Sequence, residues 1–214
     1  MFSLYGYTDM ALDALDHDPE QTRHFLVEIN RNTSYARELI DKLFLSIRLE
    51  SRNITFHPIP CPAVQLLAQV VSTSQPNAEA REIHVDVLPG DEDTLLFVDV
   101  LYLRQALQNI VDNALRHSGA GTSIRLNTRK TGNVLAIEIA DEGEGIPADQ
   151  LPYIFERYYS RGKSEAPSSG LGLTIAREII AAHHGSISVK SEVGRGTTFI
   201  IELPVYVPVL SQDI

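Results

Sequence analysis

Apolar positions recur at helical spacing in two opening stretches. Leu4, Thr8, Ala11 and Leu15 share one face of a helix predicted from about Phe2 to Leu15. His17-Asp18-Pro19-Glu20-Gln21 then reads as a turn and a new helix start, with Asp18 as cap, Pro19 at the first helical position and Gln21 completing a capping box. The second helix runs to about Glu50, with an apolar stripe of Phe25, Ile29, Ala36, Leu39, Ile40, Leu43, Phe44 and Ile47. Such a hairpin is too thin to bury both stripes alone, and pairing into a four-helix bundle is the natural remedy.

Pro58, Pro60 and Pro62 alternate in the next segment, forbidding helix and predicting an extended linker over 53–62. Beyond it, helical and alternating patterns succeed one another. Ala63–Ser74, Val100–Arg116 and Leu173–His183 read as helices; Ile83–Leu88, Thr94–Val98, Ser123–Thr128, Val134–Ala140, Ser186–Lys190 and Thr197–Leu203 read as strands, with a turn at Thr131-Gly132-Asn133. The expected class is α+β: a helical hairpin (1–52), a linker (53–62), an α/β sandwich with helices on one face of a mixed sheet (63–208) and a short tail (209–214).

At 214 residues and 43% hydrophobic content, the chain can build a real core. The net charge of -10 argues against a nucleic-acid partner. The single cysteine, Cys61, cannot form an internal disulfide, which fits a reducing compartment. No run approaches the roughly 18–20 apolar residues of a bilayer span. Met1-Phe2-Ser3-Leu4 lacks the basic start of a signal peptide, so a cytoplasmic chain, or the cytoplasmic part of a membrane-anchored protein, is expected.

Four polar elements follow in one order. Asn109 and Asn113 are one helical turn apart, so their amides point the same way; neutral amide oxygens suit magnesium, and Arg116 and His117 at the helix end can reach phosphate oxygens. Taken alone, the same residues make a solvated polar ridge. Asp141 ends a strand and can accept from an exocyclic amine such as adenine's, with Gly143 and Gly145 allowing close approach. Gly170-Leu171-Gly172-Leu173 opens a helix, where exposed N–H groups and the helix N-terminus favour phosphate. Between these two elements lies an irregular stretch of about two dozen residues, a length typical of binding loops. In it Arg157, Arg161 and Lys163 are candidates to neutralise a terminal phosphate, or form a solvated basic loop. Gly194-Arg195-Gly196-Thr197-Thr198 is a tight hairpin whose Thr197 or Thr198 hydroxyl could support the base beside Asp141.

Together these motifs resemble the ATP-binding domain of bacterial two-component sensor histidine kinases, within the gyrase, Hsp90, histidine kinase and MutL superfamily. Asn109-x-x-x-Asn113-Ala114 resembles the N box, Asp141-x-Gly143-x-Gly145 the G1 box, and Phe155-Glu156-Arg157 the F box. Gly170-Leu171-Gly172-Leu173 resembles the G2 box and Gly194-x-Gly196-Thr197 the G3 box. The hairpin resembles the dimerisation and histidine-phosphotransfer domain. The resemblance implies a Bergerat ATP-binding fold and ATP and Mg2+ as cofactors, with the metal held by Asn113 and assisted by Asn109. It adds Ile146 and Tyr159 to the nucleotide-contacting set. It implies catalytic roles for Asn109, Arg157 and Arg161, a response regulator as partner, and homo- or heterodimerisation through the hairpin.

Superfamily ATPases carry a water-activating glutamate where Asn109 stands; asparagine is no general base, so transfer to a protein nucleophile is favoured over hydrolysis. Ser168 and Ser160 stand where the family often has glycine and arginine. The family's phosphoacceptor histidine is followed by acidic, apolar and basic residues and then proline. None of His17, His24, His57, His84, His117, His183 and His184 has that context. The expectation is a chain that begins just past that motif and does not phosphorylate itself: a kinase core, or a nonenzymatic nucleotide-binding partner that regulates a complete kinase or a response regulator through its hairpin. A first helix of about 14 residues spans roughly 21 Å against roughly 46 Å for the second, which should leave Leu39, Leu43, Phe44 and Ile47 without a partner.

Overall fold

The computed structural model describes residues 4–51, 53–88, 90, 94–159 and 170–208. The chain divides into two compact units, Met1–Ile47 and Arg48–Ile214.

The first unit holds α1 (Leu4–Ala14) and most of α2 (Pro19–Glu50). The cap forms as the sequence predicts, with Asp18 Oδ1 accepting the Gln21 N–H at 2.9 Å. Tyr7 and Phe25 bring their rings within 6.3 Å, and Ala11, Ala14 and Thr22 are buried. Further along α2, Ile40, Leu43, Phe44 and Ile47 are exposed, Phe44 at 61%, while Leu39 is half-buried. The length mismatch explains this: an 11-residue α1 lies alongside only about 17 Å of a helix three times as long.

In the second unit, β1 (Ile59–Pro62) pairs antiparallel with β3 (Leu95–Val98). Prolines are tolerated in β1 because it has a neighbour on one side only. α3 spans Ala63–Glu79, five residues beyond the expected end, with Pro76 inside it. Ala78 is fully buried, so packing of the last turn outweighs the proline. β2 (His84–Val87), β4 (Ser123–Thr131), β5 (Val134–Asp141), β7 (Gly196–Pro204) and β6 (Ser186–Glu192) form, in that order, a mixed sheet among the described residues. β2 runs parallel to β4 and the other pairs are antiparallel.

Alternation decides the faces. Ile124, Leu126, Leu135, Ile137, Ile139, Phe199, Ile201 and Leu203 are buried on one side, whereas Arg125, Arg129 and Glu202 on the other are exposed. α3, α4 (Val100–His117) and α5 (Gly172–Ala182) supply the other half of the core. Leu103, Leu107, Ile110 and Ala114 form the buried ridge of α4 as expected. The anticipated class, a helical segment followed by a mixed sheet with helices on one face, is what the chain adopts.

Candidate functional site

α4 positions the two asparagines. Its start is fixed by Asp99, whose Oδ1 accepts from Leu101 and Tyr102 N–H at 3.1 and 3.3 Å. With the apolar ridge against the core, Asn109, Asn113, Arg116 and His117 are left half-buried along one edge. Asn109 Nδ2 is buried and, among the described residues, has no hydrogen-bond partner. A buried amide donor without an acceptor costs free energy, so the position is built to receive one.

Gly172, at the start of α5, adjoins this amide. A Cβ added there would lie 3.8–3.9 Å from the Asn109 side chain and meet nothing closer. The first asparagine and the second glycine loop are therefore neighbours. Gly170 has φ +64, and its carbonyl accepts from Tyr158 N–H at 3.0 Å. Leu171 is buried.

The far end of α4 meets the first glycine loop. Glu144 N–H donates to the His117 carbonyl at 3.3 Å, and His117 Nδ1 lies 3.0 Å from Glu144 Oε1. A Cβ on Gly143 would come within 2.3 Å of the His117 carbonyl oxygen, so no side chain fits there.

Asp141 is placed by the sheet itself. It is the last residue of β5, opposite Thr197 in the ladder, and only 7% exposed. Oδ1 accepts from Gly143 N–H at 2.9 Å and Thr197 N–H at 3.1 Å, and among the described residues Oδ2 has no protein donor. Burial pushes the carboxyl above its ordinary value, opposed by those two hydrogen bonds and by nearby His117.

Ser191 is the residue that sequence reasoning missed. Its hydroxyl accepts from Ile146 N–H at 2.8 Å and lies 2.8 Å from the Gly196 carbonyl and 2.9 Å from Thr197 Oγ1. It ties the first glycine loop to the third, and no motif marks it. Ser191→Ala should cost about 1–2 kcal/mol by stranding these partners, read as a lower denaturant midpoint. An unchanged midpoint would show that the loops hold together without it.

Other candidates are placed differently. Thr198 alternates to the opposite face of the sheet from Asp141 and Thr197, and is half-buried. Arg157 donates to Glu50 Oε2 at 2.6 Å and to Glu178 Oε1 at 2.9 Å, so its charge is committed to two carboxylates, which raise its pKa. Tyr159 lies 6.3 Å from the Tyr153 ring. Ser160, Arg161, Lys163 and Ser168 lie outside the described residues. Leu173 is half-buried in the first turn of α5.

Residues 98–207 match the family model described as histidine kinase-, DNA gyrase B-, and HSP90-like ATPase. The chain is 34% identical over 194 residues to the alginate biosynthesis sensor protein KinB of Pseudomonas aeruginosa, covering 90% of this chain but 32% of that protein. It superposes on full-length ShkA in complex with AMPPNP with a TM-score of 0.77 and 25% identity, over 96% of this chain and 43% of that one. Histidine kinase ThkA, solved in complex with the response regulator protein TrrA, shares the fold at a TM-score of 0.71 and 19% identity, over 95% of this chain and 59% of that one. The matched family model spans the whole set from the α4 cap to the third glycine loop, and this chain belongs to that family as a catalytic region of the bacterial sensor histidine kinase type.

Proposed function

We propose that this chain is the ATP-binding kinase core of a two-component sensor, directing phosphoryl transfer to a histidine. The observation that carries the reading is the convergence of three pairs: Asn109 with Gly172, His117 with Gly143, and Asp141 with Thr197. The AMPPNP complex of ShkA supports a nucleotide in this fold.

The residues fit the ligand. The orphaned Asn109 Nδ2 matches a phosphate oxygen, and the amide oxygens of Asn109 and Asn113 match a hard cation. Asp141 Oδ2 would accept from the exocyclic amine of adenine, and the tight approach at Gly143 and Gly145 leaves no side chain in the way. His117 lies beside the first glycine loop and near Asp141, at the base end of the proposed site, and Arg116 precedes it on α4. Bound Mg-ATP supplies the γ-phosphoryl group, which passes to a histidine ring nitrogen as the bond to ADP breaks. Asn109 cannot take a proton from water, which suits transfer over hydrolysis.

The exposed Ile40, Leu43, Phe44 and Ile47 support pairing with another helical hairpin, and the ThkA–TrrA complex supports a response regulator as the recipient partner. Among the described residues no helix is long and apolar enough to cross a membrane. We place the activity in the cytoplasm, where ATP is available.

Two measurements test this. Labelled ATP is incubated with the chain alone and with an added histidine-bearing dimerisation domain; label should appear on the added domain only. Binding without transfer would favour the nonenzymatic regulatory role, and steady phosphate release would contradict the role given to Asn109. In calorimetry, Asn113→Ala should weaken Mg-ATP roughly tenfold to a hundredfold while barely changing magnesium-free ADP. Equal losses for both would remove Asn113 from the metal.

A further inference from the structure

His183 has no place in the nucleotide site, yet it is 5% exposed and uses both ring nitrogens. Nε2 accepts the Asp99 N–H at 3.0 Å. Nδ1 lies 2.8 Å from the Ile179 carbonyl, so the ring proton is on Nδ1. Asp99 caps α4 through Oδ1 and accepts the His57 N–H through Oδ2 at 2.9 Å. The Phe56 ring meets both Tyr102 and His183 edge-on, each at 5.1 Å between centroids.

One imidazole and one carboxylate therefore join three parts: the chain entering the catalytic unit at Phe56-His57, the first turn of α4, and the last turn of α5. The opposite ends of those two helices build the proposed nucleotide site. Asn113 is about 21 Å along α4 from Asp99, and Gly172 about 17 Å along α5 from His183. α4 and α5 pack on each other, and close-packed interiors transmit displacement rather than absorb it.

Building on the proposed ATP site, we infer that His183 and Asp99 are positioning residues that couple the entry segment Phe56-His57 to nucleotide binding. A nucleotide that touches both Asn109 and the Gly172 end of α5 would fix the relative placement of α4 and α5. The hub is where that placement is read by the entering chain. Binding linkage is reciprocal, so a change at Phe56 must alter ATP affinity by the factor with which ATP alters the Phe56 contact.

The test is hydrogen–deuterium exchange on the whole chain with and without Mg-ATP, with calorimetry on the same samples. Mg-ATP should slow exchange at the His57 and Asp99 amides about fivefold. His183→Phe keeps the ring edge but lacks the acceptor; it should still bind Mg-ATP and lose that slowing. His183→Gln, which can present an acceptor, should restore it. Phe56→Ala lies outside the helical core and guards against misfolding of the first variant; it should weaken Mg-ATP about fivefold. A parent chain that binds Mg-ATP without slowing at His57 and Asp99 overturns the coupling, as does Phe56→Ala with affinity within twofold of the parent. A parent chain that binds no Mg-ATP overturns the proposed function itself, and the coupling with it.

Discussion

Asp141→Asn is expected to lose Mg-ATP affinity by about a hundredfold while the nucleotide-free protein stays as stable as the parent or becomes more stable. The two effects have one cause. Gly143 and Thr197 both donate to Oδ1, so an asparagine must present its carbonyl oxygen to them. Its NH2 group then occupies the Oδ2 position and faces the adenine amine, donor against donor. The buried charge disappears at the same time. Because burial raises the Asp141 pKa, the native state binds the proton more tightly than the unfolded chain does. The ionised carboxylate therefore costs stability, and that cost grows as pH rises from the ordinary carboxylate value of about 3.9 through the raised native value. Melting curves of the two proteins should diverge in the variant's favour across that window and stay parallel above it. An affinity loss below tenfold would remove Asp141 from base recognition; a variant less stable at neutral pH would refute the assignment of Oδ1.

Gly196→Ala should destabilise the catalytic unit by roughly 3–5 kcal/mol. Gly196 has φ +95, and its Cβ would lie 2.0 Å from the Asp141 carbonyl oxygen and 2.9 Å from the carbonyl carbon. Neither strand can retreat, because Asp141 and Thr197 are paired in the ladder and bonded again through Oδ1. Gly194→Ala is the control. It shares a positive φ of +80, but nothing lies within 4 Å of its added Cβ, so only the left-handed penalty of about 1–2 kcal/mol applies. Melting temperatures should separate the two by several degrees. Equal values would mean that the hairpin shifts freely, which the Asp141 anchor forbids.

The pattern of apolar positions located the helices and strands to within a few residues wherever local preference and packing agree. α4 shows this: its buried ridge and its asparagine edge both follow from a period of 3.6. α3 shows the opposite case. Pro76 is a local stop signal, and only the burial of Ala78 keeps the helix going. Arg157 is a second such case. As a cation beside aromatics it reads as a phosphate ligand, yet its partners Glu50 and Glu178 are 107 and 21 residues away, a separation no local motif encodes.

The nucleotide motifs were legible because each glycine loop must solve a steric problem within a few residues, and the solution leaves a fixed spacing. Sequence alone thus determined the elements, their order and the chemical types around the site. Tertiary structure decided which oxygen of Asp141 is already occupied, that Thr197 rather than Thr198 stands beside it, that Ser191 joins two loops, and that His183 ties the entering chain to both site helices. The reason is one of range. Helix period, caps and glycine turns are settled by neighbours along the chain, whereas hydrogen-bond partners are settled by the ladder register and helix packing that only the folded sheet imposes.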